Sequence, residues 1–266
     1  MTYLTDREIN VIGVQRTGQH AITSWLIGHF DSVCYKNCMS QLGRRKGRSA
    51  GVESPFWLFE PKKKEGWTEV NQIPKDQDAI ILGTEFTIFD VGLNPKIPKH
   101  KQLICDIHGV DEFSRRQDNI LIIRDPYNQY ASVLKWGKNK LLSDPKSFST
   151  MWIKTAKECI GETKNFINKQ TIIYDDWFLN SDYRRATERA LVLKYNDDSR
   201  LNIVMKIGHG RSWGSSFDGM KSNKKAQDMD VLNRWESAKD DDRFIEFCKN
   251  EEVRRLSDMY KFKCPL

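Results

Sequence analysis

Residues 11–26, VIGVQRTGQHAITSWL, lay three kinds of backbone end to end. The segment EINVIGVQ (8–15) is short and rich in β-branched residues, the pattern of a strand buried on both faces. Gly13 and Gly18 bracket a turn, and from Gln19 to Phe30 the residues Ile22, Trp25, Leu26 and Phe30 recur at helical spacing. A strand that feeds a glycine turn and then a helix belongs to an α/β fold. It also makes an anion site by geometry, because the free N–H groups of the first helical turn and the helix dipole face the turn. An ordinary tight turn uses the same glycines, so the pattern alone leaves both readings open.

Further short apolar runs read as strands: DAIILGTEF (78–86), QLICDI (102–107), DNILIIRD (118–125) and KQTIIYDD (169–176). Helical stretches are expected around residues 127–138, 148–166 and 182–195. The last 25 residues place Phe244, Ile245, Cys248, Leu256 and Met259 on a helical face. This alternation predicts a central parallel β-sheet flanked by helices on both sides, in one domain spanning residues 1–266. Residues 31–77 break the rhythm. They carry the basic clusters GRRKGRS and PKKKEGW beside Phe56, Trp57, Phe59 and Trp67, and read as an irregular excursion, partly helical and partly loop. The basic clusters suit a solvated surface or guidance of an acidic ligand, and the aromatics suit an acceptor pocket or local packing.

A hydrophobic fraction of 39% in 266 residues supports a substantial core and excludes a disordered chain, although 30% of residues are charged. The net charge of +7 points to an anionic partner, while many basic proteins bind nothing anionic. Six cysteines (Cys34, Cys38, Cys105, Cys159, Cys248 and Cys264) are scattered, without a zinc pattern, and are read as reduced thiols of a cytoplasmic protein. The N-terminal MTYLTDREIN is too polar for a signal peptide, and no apolar run approaches the roughly 20 residues that span a bilayer.

The glycine turn has the spacing of the phosphate loop G-x-x-x-x-G-K-[ST], with Gln19 and His20 in place of the last two residues. Gln19 brings no charge to a γ-phosphate, and His20 is a poor ligand for magnesium, which prefers oxygen. Arg16 supplies a cation instead, and its guanidinium suits a two-pronged grip on phosphate or sulfate. The loop therefore reads as built for an anion without a metal. A second site follows in DNILIIRDPYNQYASVL (118–134). A strand ends in Arg124, a helix begins near Pro126, and Ser132 lies eight residues beyond the arginine. Two strand-end arginines suit a ligand with phosphate-type groups at both ends.

With these residues in place, the chain resembles the sulfotransferases that use 3′-phosphoadenosine 5′-phosphosulfate (PAPS), which share a phosphate-loop-like α/β fold. Gln15-Arg16-Thr17-Gly18-Gln19-His20-Ala21 is similar to that family's loop for the 5′-phosphosulfate. Arg124 and Ser132 are similar to its pair for the 3′-phosphate, and the spelling looks most like bacterial members. TIIYDDW, with Tyr174, resembles the family's strand ending Y-E-D-L. GRSWGSSFDGM, with Ser216 and Phe217, and LNRW, with Arg234, resemble its late nucleotide-covering loop. Where many members have a tryptophan that stacks on adenine, this chain has Ala21, which leaves Phe217 or Trp213 for that contact.

The resemblance implies metal-independent, in-line transfer of a sulfuryl group from PAPS to a hydroxyl or amine, with 3′,5′-ADP (PAP) as product. Arg16 and the loop amides would stabilise developing charge, and His20 would join them or serve in capping or packing. The general base is expected at a strand end, first Glu85, then His108, with Asp106, Glu53 and Glu60 further down the ranking. The expected partner is a small-molecule sulfate acceptor, with no nucleic acid and no membrane; no motif selects among phenol, sugar, alkaloid, peptide or amine. Two competing readings are a phosphate-loop kinase or ATPase, disfavoured by the missing Lys and Ser/Thr, and a non-catalytic binder of nucleotide or acidic polymer.

Overall fold

The computed structural model describes residues 1–36, 56–59, 67–70, 73, 77–84, 101–102, 105–106, 109–137, 139–194 and 231–266. Its strands are β1 (Tyr3–Gly13), β2 (Val33–Lys36), β3 (Phe56–Phe59), β4 (Trp67–Val70), β5 (Ala79–Thr84), β6 (Glu112–Ile123) and β7 (Lys169–Ile173). They form one sheet in the order β4-β3-β2-β5-β1-β6-β7. From β2 to β7 every pairing is parallel, whereas β3 and β4 add to the β2 edge antiparallel. The helices are α1 (Gln19–Ile27), α2 (Pro126–Trp136), α3 (Pro145–Ile160), α4 (Tyr174–Leu179), α5 (Ser181–Leu191), α6 (Asp242–Cys248) and α7 (Glu251–Met259), with a 3₁₀ turn at Arg234–Ala238.

Why the central strands read as unbroken apolar runs is clear from their two faces. Ile9 and Val11 of β1 and Ile120 and Ile122 of β6 join Ile22, Trp25 and Trp177 in a core under α1, α4 and α5. Ile123 of β6 turns to the other face, where Tyr127, Tyr130, Phe148, Trp152, Phe244 and Phe247 build a second core with α2, α3, α6 and α7. Successive residues of a strand point to opposite faces, so a strand covered on both sides must be apolar throughout. The expected parallel sheet with helices on both faces is therefore the architecture found. No helix among the described residues is long and apolar enough to cross a membrane.

Two expectations are corrected. Within QLICDI (102–107), expected as a strand, the described residues 102, 105 and 106 are helical. This segment lies in the crossover between β5 and β6, which pair on either side of β1; a parallel crossover leaves the sheet, usually through a helix. The excursion at 31–77 is not wholly irregular either, since it supplies β2, β3 and β4. Each has four residues, too few to establish a period of two. The basic clusters of that stretch lie outside the described residues.

The helix ends are set by local chemistry. Asp125 caps α2 by accepting from the amides of Tyr127 and Asn128, with Pro126 in the first turn, and Gly137 closes the helix at φ 63°. Asp144 and Pro145 open α3 in the same way, and Gly161 ends it at φ 84°.

Register brings the strand ends together. Gly13 of β1 pairs with Ile122 of β6, and Ile123 pairs with Ile173 of β7. Three neighbouring strands thus stop in step, which sets the turn after β1 beside Arg124 and Arg124 beside Tyr174. From these adjacent ends α1 and α2 depart to opposite faces of the sheet. A divergence of that kind opens a crevice at the carboxyl edge, where α/β sheets bind ligands.

Candidate functional site

The turn after β1 is held in a shape that only part of its sequence tolerates well. The Thr17 amide donates to the Val14 carbonyl at 3.1 Å, and the amides of Ala21 and Ile22 donate to the Gly18 carbonyl. Gly18, the N-cap of α1, has φ 90°. A Cβ added there would lie 2.8 Å from Cζ of Tyr174 and closer still to Cδ2 and Cε2. At Gly13 an added Cβ would meet Thr17 Oγ1 at 2.5 Å. Arg16, which is not glycine, also takes a left-handed conformation at φ 71°. A backbone strained by about 1–2 kcal/mol needs support from its surroundings.

That support comes from β6 and α2. Arg124, almost wholly buried, donates from Nη1 to the Arg16 carbonyl at 2.9 Å and from Nη2 to the Val231 carbonyl. Its guanidinium lies 4.8 Å from the centre of the Tyr174 ring, a cation–π contact. Gln129, fully buried, donates from Nε2 to the carbonyls of Gln15 at 2.8 Å and Val14 at 3.3 Å. The Gln15 side chain accepts from Asn139 Nδ2 at 3.3 Å.

The arginines converge on one hydroxyl. Ser132 Oγ, fully buried, accepts from Arg16 Nε at 2.9 Å and from Arg234 Nη1 at 3.0 Å. Two guanidiniums held on one oxygen repel each other, and an anion placed between them relieves that repulsion. Arg124 braces the same turn, with two donors already given to carbonyls. Its Nε and the Thr17 hydroxyl are buried with no hydrogen-bond partner among the described residues. Such groups are costly to leave unmet, and a phosphate-like oxygen satisfies them.

Behind the arginines sit two carboxyls. Asp125 donates its amide to Asp175 Oδ2 at 2.9 Å, which ties the start of α2 to the start of α4. Burial raises the pKa of Asp125 to about 6, with repulsion from Asp175 adding to it and the capping amides and Arg124 opposing. Burial likewise raises Asp175 and the phenol of Tyr174, against the pull of Arg124.

The structure brings together Gln15, Arg16, Thr17, Gly18, Arg124, Ser132, Tyr174 and Arg234 from the sequence reading. It moves the emphasis among them. Arg16 and Arg234 share Ser132, whereas Arg124 acts first as a strut for the loop. The Gln19 side chain points back into the sheet and donates to the Val11 carbonyl at 2.9 Å, so it leaves only its backbone for a ligand. His20 is buried in the first turn of α1, and Ala21 packs half-buried against the core beneath that helix. Glu85, His108, Ser216, Phe217, Trp213, Glu53 and Glu60 lie outside the described residues. Asp106 accepts from Gln102 Nε2 at 2.9 Å on the surface. Sequence reasoning passed over Gln129, although its place three residues before Ser132 puts both on one face of a helix.

A scan against models of known protein families gives no match, and a search of curated proteins gives none. Among solved structures the chain is similar to a sulfotransferase domain from the curacin biosynthetic pathway. The two are 10% identical with a TM-score of 0.38, over 71% of this chain and 64% of that domain. The chain thus spans less than two thirds of that domain's length. The α/β architecture stands on the strand order and the two cores described above.

Proposed function

We propose that this chain is a sulfotransferase that takes a sulfuryl group from PAPS and passes it to a hydroxyl or amine of a small-molecule acceptor, without a metal ion. The observation that carries the reading is the seating of Ser132 Oγ between Arg16 Nε and Arg234 Nη1 beside a glycine turn. The residues fit such a donor. The unmet Arg124 Nε and Thr17 hydroxyl want acceptor oxygens, and Gly13 and Gly18 keep the turn free of Cβ atoms. When bound, PAPS supplies an activated sulfuryl group. Arg16, whose Nε shares Ser132 with Arg234, spans the two ends: with the loop amides it holds the negative charge at one end of the nucleotide, while Ser132 and Arg234 hold the phosphate at the other. Gln19 and His20 replace the two residues that serve ATP and magnesium in related loops, and Gln19 is turned inward to the Val11 carbonyl. The acceptor's proton is assigned to Glu85, or to His108 as the second choice.

The test is differential. PAP should raise the melting temperature of the protein, ATP should not, and EDTA should leave the PAP effect unchanged. Incubation with sulfur-labelled PAPS and a panel of phenols, sugars and amines should then yield a labelled product. Arg16→Ala should abolish transfer in a protein that still folds. Stabilisation by ATP and magnesium rather than PAP would point to a kinase, and PAP binding without any labelled product would leave only a binding protein.

A further inference from the structure

We infer that Gln129 is a positioning residue that fixes which way the amides of the anion turn point. Three successive carbonyls of the turn are engaged by buried side chains: Val14 and Gln15 by Gln129 Nε2, and Arg16 by Arg124 Nη1. A peptide unit is planar and trans, so a carbonyl and the N–H that follows it point in opposite directions. Holding the Val14 and Gln15 carbonyls toward α2 therefore directs the amides of Gln15 and Arg16 to the far side of the turn. The next amide, on Thr17, is given to the Val14 carbonyl at 3.1 Å and closes the turn. Successive amides presented in this way form a concave site for an anion.

The side chain suits this task and little else. Gln129 is fully buried, and its Oε1 has no partner among the described residues, so the polar contacts of the amide run to the turn alone. The reverse orientation of the amide group would set its oxygen against two carbonyl oxygens and is excluded. Gln129 also lies one helical turn from Asp125 and three residues from Ser132. One face of α2 thus caps its own start, braces the turn and carries the hydroxyl shared by the arginines.

The ligand in this inference is that of the proposed function; the positioning itself is independent of it. Three proteins are compared: wild type, Gln129→Met and Gln129→Glu. Methionine fills nearly the same volume without a donor. Hydrogen exchange over residues 11–22 should quicken severalfold in Gln129→Met while the strands of the core keep their protection, and PAP should bind about tenfold more weakly. Glutamate opposes the carbonyls when ionised but restores one donor when protonated, so its PAP affinity, relative to wild type at the same pH, should recover as the pH falls. Side-chain packing alone predicts no such recovery. Unchanged exchange in the turn of Gln129→Met would overturn the inference. So would a Gln129→Glu protein whose relative affinity does not vary with pH. If wild type ignores PAP, the proposed function fails, and the exchange measurement still judges Gln129.

Discussion

Replacing Gly18 by alanine tests whether the turn and Tyr174 are built against each other. The substitution meets two obstacles. The backbone at φ 90° costs a residue with a Cβ about 1–2 kcal/mol. The new methyl also enters the Tyr174 ring, lying 2.8 Å from Cζ and nearer to two other ring carbons. That ring has little room to retreat: it is buried, stacked on Phe178 at 5.9 Å, packed near Trp177 at 5.8 Å and covered by Arg124 at 4.8 Å. Overpacking of this kind costs roughly 1–3 kcal/mol, which makes the expected loss about 2–5 kcal/mol in all. Urea unfolding of four proteins measures it: wild type, Gly18→Ala, Tyr174→Leu and the double variant. Leucine at 174 removes the ring atoms that clash, so in that background Gly18→Ala should cost only its backbone part, about 1–2 kcal/mol. An equal cost in both backgrounds would show that the ring does not oppose the methyl, and the packing argument for the turn would be lost.

Ser132→Ala removes the oxygen shared by Arg16 and Arg234; PAP affinity, read by calorimetric titration, should drop by roughly 5- to 30-fold, about 1–2 kcal/mol, while the fold persists. The Asp125 carboxyl, raised to about 6 against an ordinary value of 3.8, makes ionisation a cost to the folded state, so this group favours folding as the pH falls from above 6 toward 4 and opposes it again as the pH rises. Asp125→Asn keeps a capping oxygen but cannot ionise. Its stability relative to wild type should therefore be higher at pH 7.5 than at pH 5, by about 1.4 kcal/mol, since only about one pH unit of the raised range lies between those pH values. Parallel stability profiles of the two proteins between those pH values would refute the assignment.

Much of this site was legible because its parts are local. A strand, a glycine turn and a helix are consecutive in residues 11–26, and Arg124, Pro126 and Ser132 lie within one strand–helix junction. Their meeting was not legible, since it depends on register: only the pairing of Gly13 with Ile122 brings the two junctions side by side. The same limit explains the different emphasis on Arg124. From its position at a strand end it reads as a ligand contact, and only its distances to the Arg16 and Val231 carbonyls and the Tyr174 ring reveal the strut. The short strands β2, β3 and β4 escaped notice because pairing with their neighbours, rather than their own periodicity, makes them strands. QLICDI misled for the opposite reason, being apolar and short yet part of a crossover.

The common stopping line of β1, β6 and β7 makes chain length part of the design. One residue inserted within β6 ahead of Ile122 would carry Arg124 about 3.3 Å along the strand and turn its side chain to the other face of the sheet, away from the turn it braces. Insertions between β3 and β4 bear on no such alignment. Descendants of this chain should therefore vary freely in length there, and hold the count from Gly13 to its turn, and from β6 to Ser132, fixed.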